Sequence, residues 1–293
     1  MSKLILGTVQ FGLDYGITNT SGEITDDAVS QMLQYCAENK IELFDTAADY
    51  GNSQQRLGDL APRNSTPSYV TKFSLPADGL EPSGENLFLK SMELLQVEKL
   101  YGVLIHKLTD LSDPRLPSTL SILRSARDAG LIARIGVSIY NLDDLKLAIK
   151  VFPDLDLLQL PANILDLHLL ESEELLQLKA RGVEVHVRSV FLQGMLLAAP
   201  EKLTDFFDPL RPALVEINSV AAGAGKTVLE VVLAKIRHHP SVDGVLVGAT
   251  SLQELEEINQ NWNATGDFFD FELPKVPEEI LDPRTWPQMR ITP

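Results

Sequence analysis

Leu4-Ile5-Leu6-Gly7-Thr8-Val9-Gln10-Phe11-Gly12 decides the fold of this chain. Leu4 to Gly7 read as an apolar strand, and the residues after it determine what kind of sheet it opens. A doubly wound open sheet normally places a G-x-G-x-x-G nucleotide loop directly after its first strand. Gly7 to Gly12 lacks that spacing. That favours a closed barrel over an open sheet, its structural competitor, and the rest of the chain supplies strands for one.

Short apolar runs recur near 4–7, 41–45, 68–72, 101–106, 133–138, 156–160, 183–188 and 244–248, separated by segments of helical periodicity. That alternation is the sequence form of βα units and a parallel sheet. It predicts an α/β protein, a (β/α)8 TIM barrel with an eight-stranded parallel barrel, as one domain over 1–293. The tail, 262–293, packs on the barrel or stands near its pocket. Helix punctuation agrees with this reading. Thr25 before Asp26 and Asp27 has the form of an N-cap with an acidic first turn. Gly130 and Gly182 fall where a helix ends in a left-handed residue. Between Ser118 and Ala129, Leu120, Leu123 and Ala126 form an apolar stripe.

Composition bounds the function. The chain has 293 residues, 44% of them hydrophobic, enough for a large core. No apolar run approaches the ~20 residues that span a bilayer, and the chain reads as soluble and cytoplasmic. The single cysteine, Cys36, lies in a helical pattern as a packing residue and fits a reducing compartment. A formal charge of −16 opposes binding to nucleic acid or anionic membrane, which needs clustered Lys and Arg. No obligate protein partner is indicated, and no Cys/His/Asp spacing suggests a metal.

In a barrel of this kind the active face is formed by the C-terminal strand ends. The second strand ends on Asp45, the third on Lys72 and the fourth on His106, and Tyr50 follows in the next loop. Taken singly, each has a bland role as a cap, a solvated strand end or a satisfied core histidine. Together they bring a carboxylate, an ammonium, a phenol and an imidazole to one small volume.

With these residues in place, the chain resembles the aldo-keto reductase superfamily from Gly7 to about Asn261. The resemblance is carried by Leu6-Gly7-Thr8, Asp45-Thr46-Ala47 with Tyr50-Gly51, Thr71-Lys72, Ile105-His106, Gly136-Val137-Ser138 and Gly248-Ala249-Thr250-Ser251, in the family's order. It implies an NAD(P)H-dependent oxidoreductase that interconverts a carbonyl (aldehyde, ketone or sugar-like) and an alcohol, with Asp45, Tyr50, Lys72 and His106 as the catalytic tetrad. The chemistry explains the residue types. An alkoxide formed by hydride delivery must be protonated by a positioned acid, the part of Tyr50. An ammonium at Lys72 favours the ionised phenol, Asp45 holds that ammonium, and His106 donates to the carbonyl oxygen.

The same resemblance assigns the cofactor contacts. Gly7, Thr8 and Asp45 lie at the first two strand ends, and Ser138, Gln159 and Asn163 correspond to residues that bind the nicotinamide carboxamide. Arg188 stands where many members carry a stacking tyrosine, and a planar guanidinium can also stack. Ser189, Phe191, Gln193 and Gly194 approach the pyrophosphate. Gly248, Ala249, Thr250 and Ser251 lead into a helix whose N-terminus suits an anion. Where NADPH-preferring members place Lys, Arg and Asn, this chain has Gly248, Glu254 and Ile258. That departure weakens the case for strict NADP specificity, and Glu254 would oppose a 2′-phosphate facing it. Short members with the Gly-Ala-Thr pattern can still accept NADPH through backbone and hydroxyl contacts, and the cofactor expectation leans to NADP(H) over NAD(H).

Leu108–Pro117 is short for a substrate loop, so the tail, with Phe268, Phe269, Trp286 and Met289, either lines the pocket or packs on the barrel. Gly223-Ala224-Gly225-Lys226-Thr227 imitates a phosphate loop, but its first glycine would fall at Val220 and no strand precedes it. It reads as an interhelix turn with Thr227 as N-cap. Two function classes follow: a reductase acting on a small-molecule carbonyl or alcohol, and a nonenzymatic NAD(P)H-binding redox sensor on the same fold.

Overall fold

A computed structural model of the chain describes residues 2–16, 22–76, 79–264 and 271–287. Strands β1 (Lys3–Gly7), β2 (Leu43–Asp45), β3 (Ser68–Phe73), β4 (Gly102–Ile105), β5 (Ile135–Ser138), β6 (Leu157–Pro161), β7 (Glu184–Arg188) and β8 (Gly244–Gly248) pair in chain order, and β8 closes on β1. All pairings are parallel. The fold is a (β/α)8 barrel in a single domain, and each apolar run of the sequence matches one of its strands to within two residues at either end.

The helices are α1 (Asp26–Glu38), α2 (Ser53–Leu60), α3 (Lys90–Leu95), α4 (Leu116–Asp128), α5 (Leu142–Val151), α6 (Glu173–Ala180), α7 (Arg211–Ala224), α8 (Val228–Arg237), α9 (Leu252–Asn263) and α10 (Glu278–Leu281). Their ends follow local chemistry. The Thr25 side chain accepts from Ala28 N and starts α1. Gly130 and Gly182, at φ 75° and 83°, release the chain after α4 and α6. Helix α4 begins two residues before the predicted Ser118, because Pro117 fits a first turn where no N–H is needed. Thr227 caps α8 reciprocally with Glu230, so the imitation phosphate loop is an interhelix turn. Cys36 is fully buried, and burial pushes its thiol up to about 12. No single helix among the described residues is long and apolar enough to cross a membrane.

The strand period of two positions the site. Ile5, Leu43, Val70, Leu104, Leu157 and Leu246 form a separate apolar cluster contributed by six strands, the plug inside the barrel. Successive side chains alternate faces, so the residue two positions further along each strand shares the inner face one layer higher. Those residues are Gly7, Asp45, Lys72, His106, Gln159 and Gly248. Strand β5 passes the plug with Gly136, where a Cβ would meet Leu157 O at 1.6 Å.

At the opposite end the interior is polar. Glu184 accepts from Tyr101 Oη (2.5 Å) and His186 Nε2 (3.0 Å), and pairs with Arg134 Nε (2.6 Å). Burial opposes charge on Glu184, but these donors outweigh it and hold the carboxyl at about 2. In the tail, Phe271, Leu273, Val276, Leu281 and Trp286 pack against the main core, and Ile280 is buried. Phe268, Phe269 and Met289 lie outside the described residues.

Candidate active site

A cleft of about 850 Å³ opens at the C-terminal strand ends. That is within the ~300–1,000 Å³ usual for ligand sites. Asp45, Tyr50 and His106 line it, and Lys72 lies against them at 1% exposure. Lys72 Nζ donates to Asp45 Oδ1 (2.5 Å), Thr46 O (3.0 Å) and Tyr50 Oη (3.2 Å). All three ammonium protons therefore have acceptors. Burial alone would push the Lys72 pKa down, but the charge of Asp45 and the contact with Tyr50 outweigh it and raise it. Lys72 is consequently a cation in a nearly dry setting.

Asp45 is held from both sides. Its Oδ2 accepts from Gln159 Nε2 at 2.7 Å, and Gln159 Oε1 accepts from Ser138 Oγ at 3.3 Å. Thr8 secures the Asp45 backbone, with both Thr8 N and Thr8 Oγ1 donating to Asp45 O at 2.9 Å. The result is one continuous polar chain from Ser138 through Gln159, Asp45 and Lys72 to Tyr50. His106 closes the group, its ring edge-on to Tyr50 with centroids 5.8 Å apart. His106 Nδ1 lies 3.4 Å from Asp49 Oδ2, too poorly aligned for a hydrogen bond, and that oxygen accepts from Ser74 Oγ at 2.8 Å. Burial and then the Lys72 charge push the His106 pKa down to about 4, against Asp49 and Asp45. At neutral pH the imidazole is uncharged.

The remaining predicted residues divide between the cleft wall and its supports. Gly7, Thr8, Ser138, Gln159, Arg188, Ser189, Phe191, Gln193, Gly194, Gly248, Thr250 and Glu254 line the cleft. Ala249 is buried behind it, and Ser251 caps α9 by accepting from Glu254 N at 3.2 Å. Asn163 does not line the cleft; its Oδ1 accepts from Leu165 N at 2.9 Å in a local turn. Arg188 lies over the Tyr140 ring, with Cζ 4.3 Å from the centroid, and Nη2 donates to Ile139 O at 2.9 Å. Arg284 from the tail lies 4.1 Å from the same ring centroid.

Several lining residues escaped sequence reasoning. Tyr140 is two positions beyond Ser138, a spacing that period-two reading could have carried past the strand end. Thr227, Val228 and Leu229 enter from the first turn of α8, for which no local signal exists. Gln10 lines the cleft too, and its Oε1 is buried without a hydrogen-bond partner among the described residues.

The loop after β7 carries an unusual backbone. Ser189, Leu192 and Gln193 are left-handed at φ 62°, 49° and 51°, followed by Gly194 at 90°. Side-chain-bearing residues held this way cost ~1–3 kcal/mol each and persist only where the surrounding structure holds them, as it does at many ligand sites. Mixed right- and left-handed turns point successive N–H groups into an anion-binding concavity. The loop and the open cleft fit a dinucleotide diphosphate, and the unpartnered Gln10 oxygen suits a hydroxyl or amino donor of the same ligand.

The aldo/keto reductase family model matches residues 3–270. The chain belongs to that family. Aldo/keto reductases are NAD(P)H-dependent oxidoreductases. Solved aldo-keto reductases share this barrel. One from Bacillus halodurans, described as a holo form, is 21% identical over 90% of this chain and 87% of its own, with a TM-score of 0.69. Two structures assigned to aldo-keto reductases of Pseudomonas aeruginosa are 19% and 18% identical, each over 89% of this chain and over 89% and 90% of their own, with TM-scores of 0.64 and 0.61. At such identities the likeness to this aldo/keto reductase is one of fold. No curated protein matches the chain significantly.

Proposed function

We propose that this aldo/keto reductase interconverts an aldehyde, ketone or sugar-like carbonyl and the corresponding alcohol, with Tyr50 as general acid and base. The polar chain Ser138–Gln159–Asp45–Lys72–Tyr50, ending in an open cleft, is the observation that carries this reading. When bound, the dinucleotide supplies or accepts the hydride. In reduction the substrate oxygen becomes basic, and Tyr50 Oη gives it a proton. Lys72, 3.2 Å away, stabilises the charge left on Oη. Asp45 keeps that ammonium in register and neutralises it, and uncharged His106 donates one ring N–H to the substrate oxygen. Solvent restores the Tyr50 proton; in oxidation Tyr50 Oη receives it from the alcohol.

Ser138, Arg188 and the Ser189–Gly194 loop hold the dinucleotide in this reading. The chain works as one domain whose tail contributes Arg284 to the wall around Tyr140. The sequence lean to NADP(H) has little here to support it, because among the described residues Arg188 is the only Lys or Arg lining the cleft.

The test is loss of absorbance of reduced cofactor against a panel of aldehydes, ketones and sugars, beside calorimetric binding of the dinucleotide. Tyr50→Phe should abolish turnover and keep dinucleotide affinity. Dinucleotide binding without turnover across the panel would move the protein to the redox-sensing class.

A further inference from the structure

Glu254 stands at the outer end of the cleft, at the first turn of α9. We infer that the chain selects NAD(H) over NADP(H), and that Glu254 is the residue that decides it; the inference rests on the cleft being a nicotinamide dinucleotide site. The cleft begins on the barrel interior at Asp45, Tyr50 and His106, and reaches the helix layer at Thr227 and Leu229 of the α8 start and Glu254 and Glu257 of α9. With the reacting end beside Tyr50, the second nucleoside belongs at the outer end, between these helix starts.

NADP(H) differs from NAD(H) there by one phosphate monoester. Such a group carries about −1.5 to −2 charge at pH 7 and needs cations or free backbone N–H groups. Among the described residues the outer wall offers no cation, and two carboxylates, Glu254 and Glu257, stand at its helix starts. Arg188, the one guanidinium lining the cleft among the described residues, sits at the end of β7 with its side chain engaged by Ile139 O and Tyr140. Lys226, next to the outer wall in sequence, pairs with Glu230 at 3.0 Å. The anion-attracting start of α9 is already served by the chain itself. Glu254 Oε2 accepts from Thr250 N (2.7 Å) and Thr250 Oγ1 (2.9 Å).

A 2′-phosphate at this end would have to displace the Glu254 carboxylate from Thr250 and then lie beside it and Glu257. Both carboxylates are exposed and three positions apart, hence on one face of α9. An unmodified ribose meets the opposite situation. Its 2′- and 3′-hydroxyls are donors, and a carboxylate accepts from such a diol, as acidic residues do in other dinucleotide folds. Glu254 Oε1 and the Glu257 carboxylate have acceptor capacity for that contact.

The experiment is calorimetric titration of the full chain, without carbonyl substrate, using NADH, NADPH, 5′-ADP and 2′,5′-ADP. NADH should bind at least roughly tenfold more tightly than NADPH, and 5′-ADP more tightly than 2′,5′-ADP. Glu254→Gln keeps an oxygen to cap Thr250 and should narrow the gap; Glu254→Arg should invert it. Circular dichroism and thermal melting establish that both variants are folded. Equal or tighter NADPH binding by the unaltered protein overturns the inference and leaves the dinucleotide site standing. A gap unchanged in both variants removes Glu254 as its cause. Failure of both dinucleotides to bind overturns the site itself, and the inference with it.

Discussion

Gln159 reaches from β6 to β2, on opposite sides of the barrel mouth, and donates from Nε2 to Asp45 Oδ2 at 2.7 Å. The amide is 0% exposed and its carboxylate partner 3%, so this bond is made away from water. Gln159 thus positions Asp45, and through Asp45 it positions Lys72. Gln159→Leu should leave Asp45 Oδ2 without its donor and cost about 1–3 kcal/mol of stability. Lys72 then loses its fixed register against Tyr50, and kcat should fall roughly 10- to 100-fold. Urea denaturation and steady-state kinetics measure the two effects. A stability loss with kcat intact would confine Gln159 to a structural role.

The Lys72–Asp45 pair gives a second expectation, in which the sign depends on what is removed. Lys72→Met leaves a buried carboxylate without its cation and should cost about 3–5 kcal/mol. Adding Asp45→Asn removes that stranded charge, so the double variant should regain much of the loss while staying inactive. A double-mutant cycle by chemical denaturation reads the coupling. Additive losses would mean that the two charges do not depend on one another.

His106 sets the pH dependence. An ordinary imidazole titrates near ~6.5. Burial and Lys72 lower this one to about 4 in the folded protein. Between these values the unfolded chain binds a proton that the native state refuses. The stability contribution is therefore whole above about 6.5 and declines as pH falls toward about 4. Any acid limb of kcat/KM due to His106 should likewise lie near 4, and proton NMR of the imidazole should follow it. Asp49→Asn should lower the value further, because Asp49 favours the charged ring. An acid limb near ~6.5 that vanishes in His106→Gln would contradict this ordering.

The loop after β7 trades stability for shape. Gln193→Gly relieves a side chain held at φ 51°. Glycine adopts that conformation without steric cost, so the folded state should gain up to about 1 kcal/mol. The freed loop is less preorganised, and dinucleotide affinity should drop several-fold. Melting temperature and calorimetry should move in opposite directions; affinity unchanged by the substitution would separate the backbone strain from binding.

What the sequence disclosed and what it withheld follow from range. Asp45, Lys72 and His106 were legible because each lies two residues beyond an inward apolar residue, Leu43, Val70 or Leu104, and strand periodicity is local. The eight strands were legible for the same reason. The Gln159–Asp45 bond was not, because it joins positions 114 residues apart and exists only after the barrel closes. Asn163 was named from its place near a strand end; it stands outside the cleft lining, and its Oδ1 accepts from Leu165 N two residues away, a turn that strand periodicity does not report. Thr227 was read correctly as a cap, yet its place in the cleft wall depends on how α8 and α9 pack on the barrel.

The tail supplies the last expectation. Tyr140 has a guanidinium on each of two contacts, Arg188 at 4.3 Å and Arg284 at 4.1 Å from its ring centroid. Arg284 is itself held by Asp282 at 2.6 Å, and Trp286 fixes the segment edge-on against Phe207, with centroids 4.9 Å apart. Each cation–ring contact contributes about 0.5–2 kcal/mol. Arg284→Ala should therefore loosen Tyr140 and, behind it, Arg188, without touching Lys72 or Tyr50. KM should rise roughly threefold to tenfold with a smaller change in kcat, and Tyr140→Leu, which removes both contacts, should do more. Unchanged KM for cofactor and carbonyl in Arg284→Ala would show that the tail packs on the barrel with no bearing on the cleft.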